Sequence, residues 1–209
     1  MSLPRLRTEQ EEEAKKEEVA VEIEPKTGVS FPFKLDDGKQ LGCVGLRKKS
    51  MLGIGIKIYG FGIYADNEKL RELLKLKIGK APAKPTKDMY QLVIDSDAEM
   101  MVRVMGQASD DIKLTSGSVI EISRLPGNIL QTKGDNSKTL ICIKIVINTL
   151  EMSTTLTKSC VLLGAVIGEV VSKVESELLC RAYVNMYLGD DPLDKDTKEK
   201  FGMSLPSLF

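Results

Sequence analysis

Arg47 and Tyr59 have the side chains best suited to chemistry, in a stretch, residues 41–65, that otherwise consists mainly of aliphatic residues and glycine. A guanidinium can hold a carboxylate through two parallel hydrogen bonds, and a phenol can donate another. If the two runs that carry them pair as a hairpin, with a turn near residues 48–51, the two side chains converge over the sheet. The alternatives are a surface arginine paired with an acid and a tyrosine whose hydroxyl lies in solvent.

The run that carries Tyr59 has the two-residue repeat of a half-buried strand. Its small and polar side holds Gly53, Gly55, Lys57, Tyr59 and Gly62, and its apolar side holds Ile54, Ile56, Ile58, Phe61 and Ile63. Tyr59 is therefore expected on the polar side. Glycines weaken a strand, so each one in this stretch suggests a bulge or a close approach of another group to the backbone.

The composition excludes several classes of function. Lysine plus arginine and aspartate plus glutamate both number 30, so the net charge of zero gives no electrostatic case for binding nucleic acid. The absence of histidine removes the commonest general base and zinc ligand, so we predict no metal site and no cofactor. No CxxC spacing occurs, which favours small buried apolar roles in a reducing compartment for Cys43, Cys142, Cys160 and Cys180.

The remaining patterns predict the elements that position the pair. Asp66 and Thr86 are suited to cap two helices, an apolar stripe over residues 171–187 predicts a third, and a last charged helix is expected from Asp191. Residues 100–105 and 116–122 are expected to form strands, and residues 124–128 a loop. Strands precede and interrupt the helices without regular alternation. This order predicts an α+β fold, an antiparallel β-sheet covered on one face by helices.

The domain organisation is expected to be simple. The charged residues 1–18 predict a disordered leader, and residues 19–209 are long enough for a single domain with a sizeable core. The apolar residues 134–167 are not expected to span a membrane. A span needs about 20 largely apolar residues, and Lys144, Glu151 and Lys158 interrupt this stretch.

Two segments resemble the chalcone-isomerase-fold family. Gly45-Leu46-Arg47, followed by residues 58–64 and a capped helix, resembles its strand pair, and residues 178–192, LLCRAYVNMYLGDDP, are similar to its plant plastid fatty-acid-binding branch. The resemblance implies an open-faced β-sandwich with a ligand cleft between sheet and helices. It also implies non-catalytic fatty-acid binding, with the carboxylate on Arg47 and Tyr59, in the chloroplast stroma, with a targeting peptide that this chain does not include.

The chain departs from the family pattern in three places. A strand and much of the helical layer are expected to be missing near Arg103, residues 134–167 are expected to be an insertion, and Cys180 falls at a late hydroxylic position. Most of the polar apparatus of the isomerase is therefore expected to be absent, so we predict no catalytic residue. The alternatives are a chalcone-isomerase-type intramolecular lyase and a binding-incompetent isoform that pairs with other proteins, which the sequence does not identify.

Overall fold

The structure is a computed structural model that describes residues 20–51, 54–106, 119–134 and 169–209. The predicted leader, residues 1–18, lies outside the described residues. So do residues 116–118 of one predicted strand and all of the predicted insertion beyond Gly134.

The described part is built on one six-stranded antiparallel sheet in which every strand pairs with the next along the chain. Its strands are β3 (Gln40–Met51), β4 (Ile54–Ala65), β5 (Met100–Gly106), β6 (Val119–Leu125), β7 (Ile129–Gly134) and β8 (Glu169–Glu175). With the helices described next, the sheet confirms the predicted α+β class. The first strand of this order, β3, is an edge strand, and the candidate site lies on β3 and β4.

Within the described ranges, four α-helices and a terminal 3-10 helix accompany the sheet: α1 (Asn67–Lys77), α2 (Lys87–Asp95), α3 (Glu177–Leu188), α4 (Lys195–Ser204) and Leu205–Leu208. The predicted caps are confirmed, because the Asp66 carboxylate accepts the Glu68 and Lys69 N–H groups and the Thr86 hydroxyl accepts that of Met89.

The last α-helix begins at Lys195 rather than at Asp191, because Asp194 is its capping residue. The Asp194 carboxylate also accepts the N–H of Leu46 in β3, at 3.3 Å, and the Thr197 hydroxyl, at 2.8 Å. One carboxylate therefore caps α4 and fixes this helix to the open edge of the sheet.

The opposite face of the sheet is partly covered by a small two-stranded sheet, β1 (Val21–Ile23) and β2 (Ser30–Pro32). The fully buried Phe31 packs there with Val44, Tyr64 and Met101. Gly62 lies directly beneath this ring, since a Cβ at Gly62 would come 2.8 Å from the Phe31 Cδ1 atom. The prediction that glycines in this stretch allow a close approach is confirmed at Gly62.

The β3–β4 hairpin is confirmed, but its predicted turn is wrong. Residues 48–51 continue β3, in which Lys48 pairs with Lys57 and Met51 pairs with Ile54. The connection therefore falls at residues 52–53, outside the described residues.

The predicted face of Tyr59 is also wrong, because β4 contains a bulge. Arg47 pairs with Tyr59 while the next residue, Lys48, pairs with Lys57, which leaves Ile58 as an extra residue. Ile58 and Tyr59 are both 8% exposed and both belong to the main apolar core. The bulge therefore places Tyr59 with Phe61 and the helices, not on the polar side.

Arg124 lies at the end of β6 rather than in the expected loop and is only 2% exposed. Its Nε donates to the Ala98 carbonyl oxygen at 2.9 Å, and its terminal nitrogens donate to those of Ile94 and Val93, both at 3.0 Å. The guanidinium thereby satisfies carbonyl groups at the end of α2. Burial lowers the pKa of Arg124 to about 10, so the side chain stays protonated at neutral pH.

We expect Gly62→Ala to destabilise the fold by about 1–3 kcal/mol, because the added methyl group overlaps the buried Phe31 ring. Urea denaturation measures the loss. Combining Gly62→Ala with Phe31→Leu is the control, since the two losses should then be less than additive. Strict additivity would show that the two side chains do not compete for the same space.

Candidate ligand-binding site

Arg47 and Tyr59 lie directly opposite each other on β3 and β4. Directly opposed residues of an antiparallel pair project from the same face, with Cβ atoms about 5 Å apart. That face is the helical one: a Cβ at Gly45, two residues before Arg47, would contact the Thr197 side chain of α4 and come 2.7 Å from the Phe61 ring. The predicted pairing of these two strands is therefore confirmed, and it sets Arg47 opposite Tyr59.

The two side chains differ in how much they are exposed. Arg47 is half-buried, and its guanidinium makes no hydrogen bond or ion pair with any residue that the structure describes. Tyr59 is 8% exposed and lies in the main core. Withdrawing a charge from water without a partner is unfavourable, so this guanidinium is best satisfied by an anion that approaches between the sheet and the helices.

Aromatic rings extend from Tyr59 into the core. The Tyr59 and Phe61 ring centroids are 6.3 Å apart with nearly perpendicular planes, and the Phe61 and Tyr187 centroids are 5.2 Å apart. The Tyr187 and Tyr183 centroids follow at 5.6 Å, again edge to face. This aromatic row links the predicted site on β4 to two tyrosines of α3, at spacings typical of favourable ring contacts.

The hydroxyl groups of α3 are satisfied unequally. Tyr183 donates to the Ile122 carbonyl oxygen at 3.4 Å, whereas the buried Tyr187 hydroxyl lies near those of Tyr183 and Tyr59 without making a hydrogen bond of ordinary geometry to any described residue. Burial raises the pKa of both Tyr183 and Tyr187 well above the usual value, and the nearby Tyr183 and Tyr59 raise that of Tyr187 further, so Tyr183 and Tyr187 are neutral phenols at physiological pH. Sequence patterns predicted these helical tyrosines as core residues, but no pattern reveals an unpaired hydroxyl.

The surroundings of the row are apolar. Buried aliphatic side chains of three neighbouring strands belong to the same core: Ile58, Ile63, Val102, Val104, Ile120 and Ile122. A charged group at the edge of an apolar region is the arrangement expected for an amphipathic ligand, whose head is anionic and whose tail is hydrocarbon.

Two adjoining grooves lie elsewhere, between α2, α3 and α4, with volumes of about 230 and 630 Å³. They share Tyr90, Asp190 and Lys198, and neither is lined by Arg47 or Tyr59. The Lys198 ammonium lies 4.8 Å from the centre of the Tyr90 ring and donates to the Gly189 carbonyl oxygen at 2.7 Å. These contacts engage the shared Lys198 within the chain, and the other lysines of the larger groove, Lys84 and Lys195, are exposed to solvent, unlike the half-buried Arg47.

Cysteine and metal chemistry can be assessed for the described ranges. Cys43 and Cys180 are buried free thiols, as predicted, and burial raises the pKa of both. Cys142 and Cys160 lie outside the described residues. The described ranges contain no group of three potential metal ligands and no helix of the length and apolarity that a membrane crossing requires.

Comparison with known proteins gives several similar chains. No protein-family model matches the sequence. The chain is 46% identical, over 232 aligned positions, to chalcone isomerase-like protein 1 of Humulus lupulus, covering 91% of this chain and 94% of that protein. It is 34% identical to fatty-acid-binding protein 1 of Arabidopsis thaliana, covering 86% and 68% respectively. A crystal structure of an Arabidopsis thaliana fatty-acid-binding protein superposes with a TM-score of 0.70 at 25% identity, covering 90% of this chain and 98% of that one.

Proposed function

Because the chain belongs to the chalcone-isomerase-fold family, in the branch that contains the fatty-acid-binding proteins, we propose that it binds fatty acids without transforming them. The ligand carboxylate rests on Arg47 and Tyr59. The observation that carries this proposal is the half-buried guanidinium, directly opposite a tyrosine and without a partner among the described residues.

The carboxylate supplies orientation and part of the affinity. A hydrogen bond to a charged group contributes roughly 1.5–3 kcal/mol net, and a guanidinium can make two to one carboxylate. Tyr59 adds a neutral donor from the neighbouring strand, on the same face of the sheet. The two groups together favour an ionised carboxylate over an alcohol or an ester, which carry no charge.

The hydrocarbon tail supplies the rest of the binding free energy. Each methylene group that leaves water contributes about 0.8 kcal/mol, so a long acyl chain can outweigh the cost of ordering a flexible ligand. The apolar surroundings that we propose for the tail are the buried aliphatic residues of β4, β5 and β6 on the helical side of the sheet. A long-chain fatty acid fits this combination better than a short one.

The absence of catalysis is also part of the proposal. A chalcone-isomerase-type lyase would hold an enolate or phenolate against the same arginine and tyrosine, and one relative carries a chalcone isomerase-like name. This chain contains no histidine, and the buried Cys180 stands at the late hydroxylic position of the family pattern. We therefore expect no flavanone formation above the spontaneous rate when the protein is mixed with a chalcone.

Native mass spectrometry of the full chain tests the binding function. After incubation with palmitate, we expect a one-to-one adduct, and we expect the alcohol of the same chain length to bind at least about tenfold more weakly because it lacks the charge. Equal binding of acid and alcohol would reject carboxylate recognition. Chalcone cyclisation by the wild type, abolished in Arg47→Ala, would instead support the lyase.

We propose the chloroplast stroma as the compartment, on the resemblance of residues 178–192 to the plastid branch of the family. Fractionation of plant cells with immunodetection tests this assignment. Enrichment with stromal proteins is expected, and enrichment with cytosolic proteins would reject it.

A further inference from the structure

Two buried tyrosine hydroxyls, those of Tyr64 and Tyr187, have no hydrogen-bond partner among the described residues. An unpaired buried hydroxyl disfavours the folded state, so each one calls for a physical reason. The two tyrosines lie on opposite faces of the sheet, because Tyr64 belongs to the small cluster around Phe31 and Tyr187 to the main core on the helical side.

The surroundings of Tyr64 give its hydroxyl no connection to the candidate site. The Arg103 guanidinium lies 5.7 Å from the centre of its ring and is itself paired with Glu121. The Tyr187 ring, in contrast, lies 5.2 Å from the Phe61 ring at a tilt of 59°, and the other neighbour of Phe61 in the row is Tyr59. The Tyr187 hydroxyl lies near that of Tyr59, so of these two hydroxyls it is the one next to the proposed carboxylate site.

We propose that Tyr187 is a positioning residue for fatty-acid binding, whose hydroxyl donates a hydrogen bond to the Tyr59 oxygen while the Tyr59 hydroxyl donates to the ligand carboxylate. This inference rests on the proposed function. It assigns the Tyr187 hydroxyl, on the helical side of the sheet, a role in ligand binding.

The proposed direction of the hydrogen bonds follows from the number of protons available. A phenol has one proton to donate and an oxygen that also accepts, so Tyr59 can receive one bond and make another. Receiving a bond from Tyr187 polarises the Tyr59 O–H group and strengthens its bond to an anion. Tyr183 cannot take this part, because its own proton is already donated to the Ile122 carbonyl oxygen.

The test compares three tyrosine-to-phenylalanine variants of the full chain. For Tyr187→Phe we expect palmitate to bind roughly 2- to 10-fold more weakly, the effect of one neutral hydrogen bond, with an unchanged or higher Tm because an unpaired hydroxyl is removed. Tyr64→Phe makes the same chemical change on the opposite face and should leave palmitate affinity unchanged. Tyr183→Phe should lower Tm and leave affinity unchanged.

A double mutant separates positioning from general packing. In a Tyr59→Phe background, Tyr187→Phe should cause no further loss of palmitate affinity, since its effect passes through the Tyr59 hydroxyl. An equal loss in both backgrounds, or no loss in the wild-type background, would overturn the inference while leaving the fatty-acid function intact. Failure of the wild-type protein to bind palmitate would instead reject the proposed function itself.

Discussion

Arg47→Ala is expected to bind palmitate roughly 10- to 100-fold more weakly than the wild type, which is the largest change in affinity that we predict. The substitution removes the only described cation that faces Tyr59 across the strand pair. It should not unfold the protein, because the guanidinium makes no hydrogen bond or ion pair with the described residues. A competition titration with a fluorescent fatty acid measures the loss, and Tm is recorded alongside.

Two control variants make this result specific. Lys48→Ala removes a positive charge one residue further along β3, from an exposed side chain, and should leave palmitate affinity within about twofold, because exposed charges are screened by water and salt. Arg47→Lys keeps the positive charge but loses the planar guanidinium, which can make two parallel hydrogen bonds to a carboxylate. An intermediate affinity is therefore expected. Affinity that is unchanged in Arg47→Ala would remove Arg47 as the carboxylate anchor.

The pairing of β3 with β4 could be predicted from sequence because it depends on local chain geometry, but the register that sets Arg47 opposite Tyr59 could not, since the predicted turn lay too early in the chain. Two neighbouring runs with strand character and a short connection favour an antiparallel hairpin. The connection at residues 52–53 and the bulge at Ile58 then set Arg47 opposite Tyr59 on one face of the sheet. The helix caps could be predicted for the same reason, since Asp66 and Thr86 act within three residues of their own positions.

The face of Tyr59 could not be predicted by strict alternation, although the sequence contains a signal of the bulge. The apolar residues of β4 recur every second position up to Ile58, and the next is Phe61, three positions later. That change of phase marks the bulge that the structure places at Ile58. A single two-residue repeat applied to the whole of β4 assigns Tyr59 to the polar side, which is wrong.

Contacts between segments that are far apart in sequence could not be predicted from sequence patterns. Phe31 belongs to a strand of three residues, too short to show a period, and its position over Gly62 depends on how the small sheet packs on the large one. Arg124 lies two residues before the Pro126-Gly127 turn, and a charged residue at such a position ordinarily indicates a loop. Its burial depends on carbonyl groups at the end of α2, about thirty residues away in sequence.

Arg124→Met is expected to destabilise the fold by about 3 kcal/mol or more, the largest loss of stability that we predict. Methionine fills similar space but donates no hydrogen bond, so the Ile94 and Ala98 carbonyl oxygens lose a charged donor, while Val93 keeps a bond from the Ser96 hydroxyl. A loss of this size lowers Tm by about 6–12 °C in a domain of this length. Differential scanning calorimetry provides the measurement.

Arg103→Met is the matched control for Arg124→Met. Arg103 lies on the neighbouring strand β5 and pairs with Glu121 on β6, and its side chain is 22% exposed, so water partly solvates both partners. Its loss should cost no more than about 1 kcal/mol. Equal effects of the two variants would mean that the three carbonyl groups near α2 find other donors, and that Arg124 contributes to the fold mainly through the packing of its aliphatic portion.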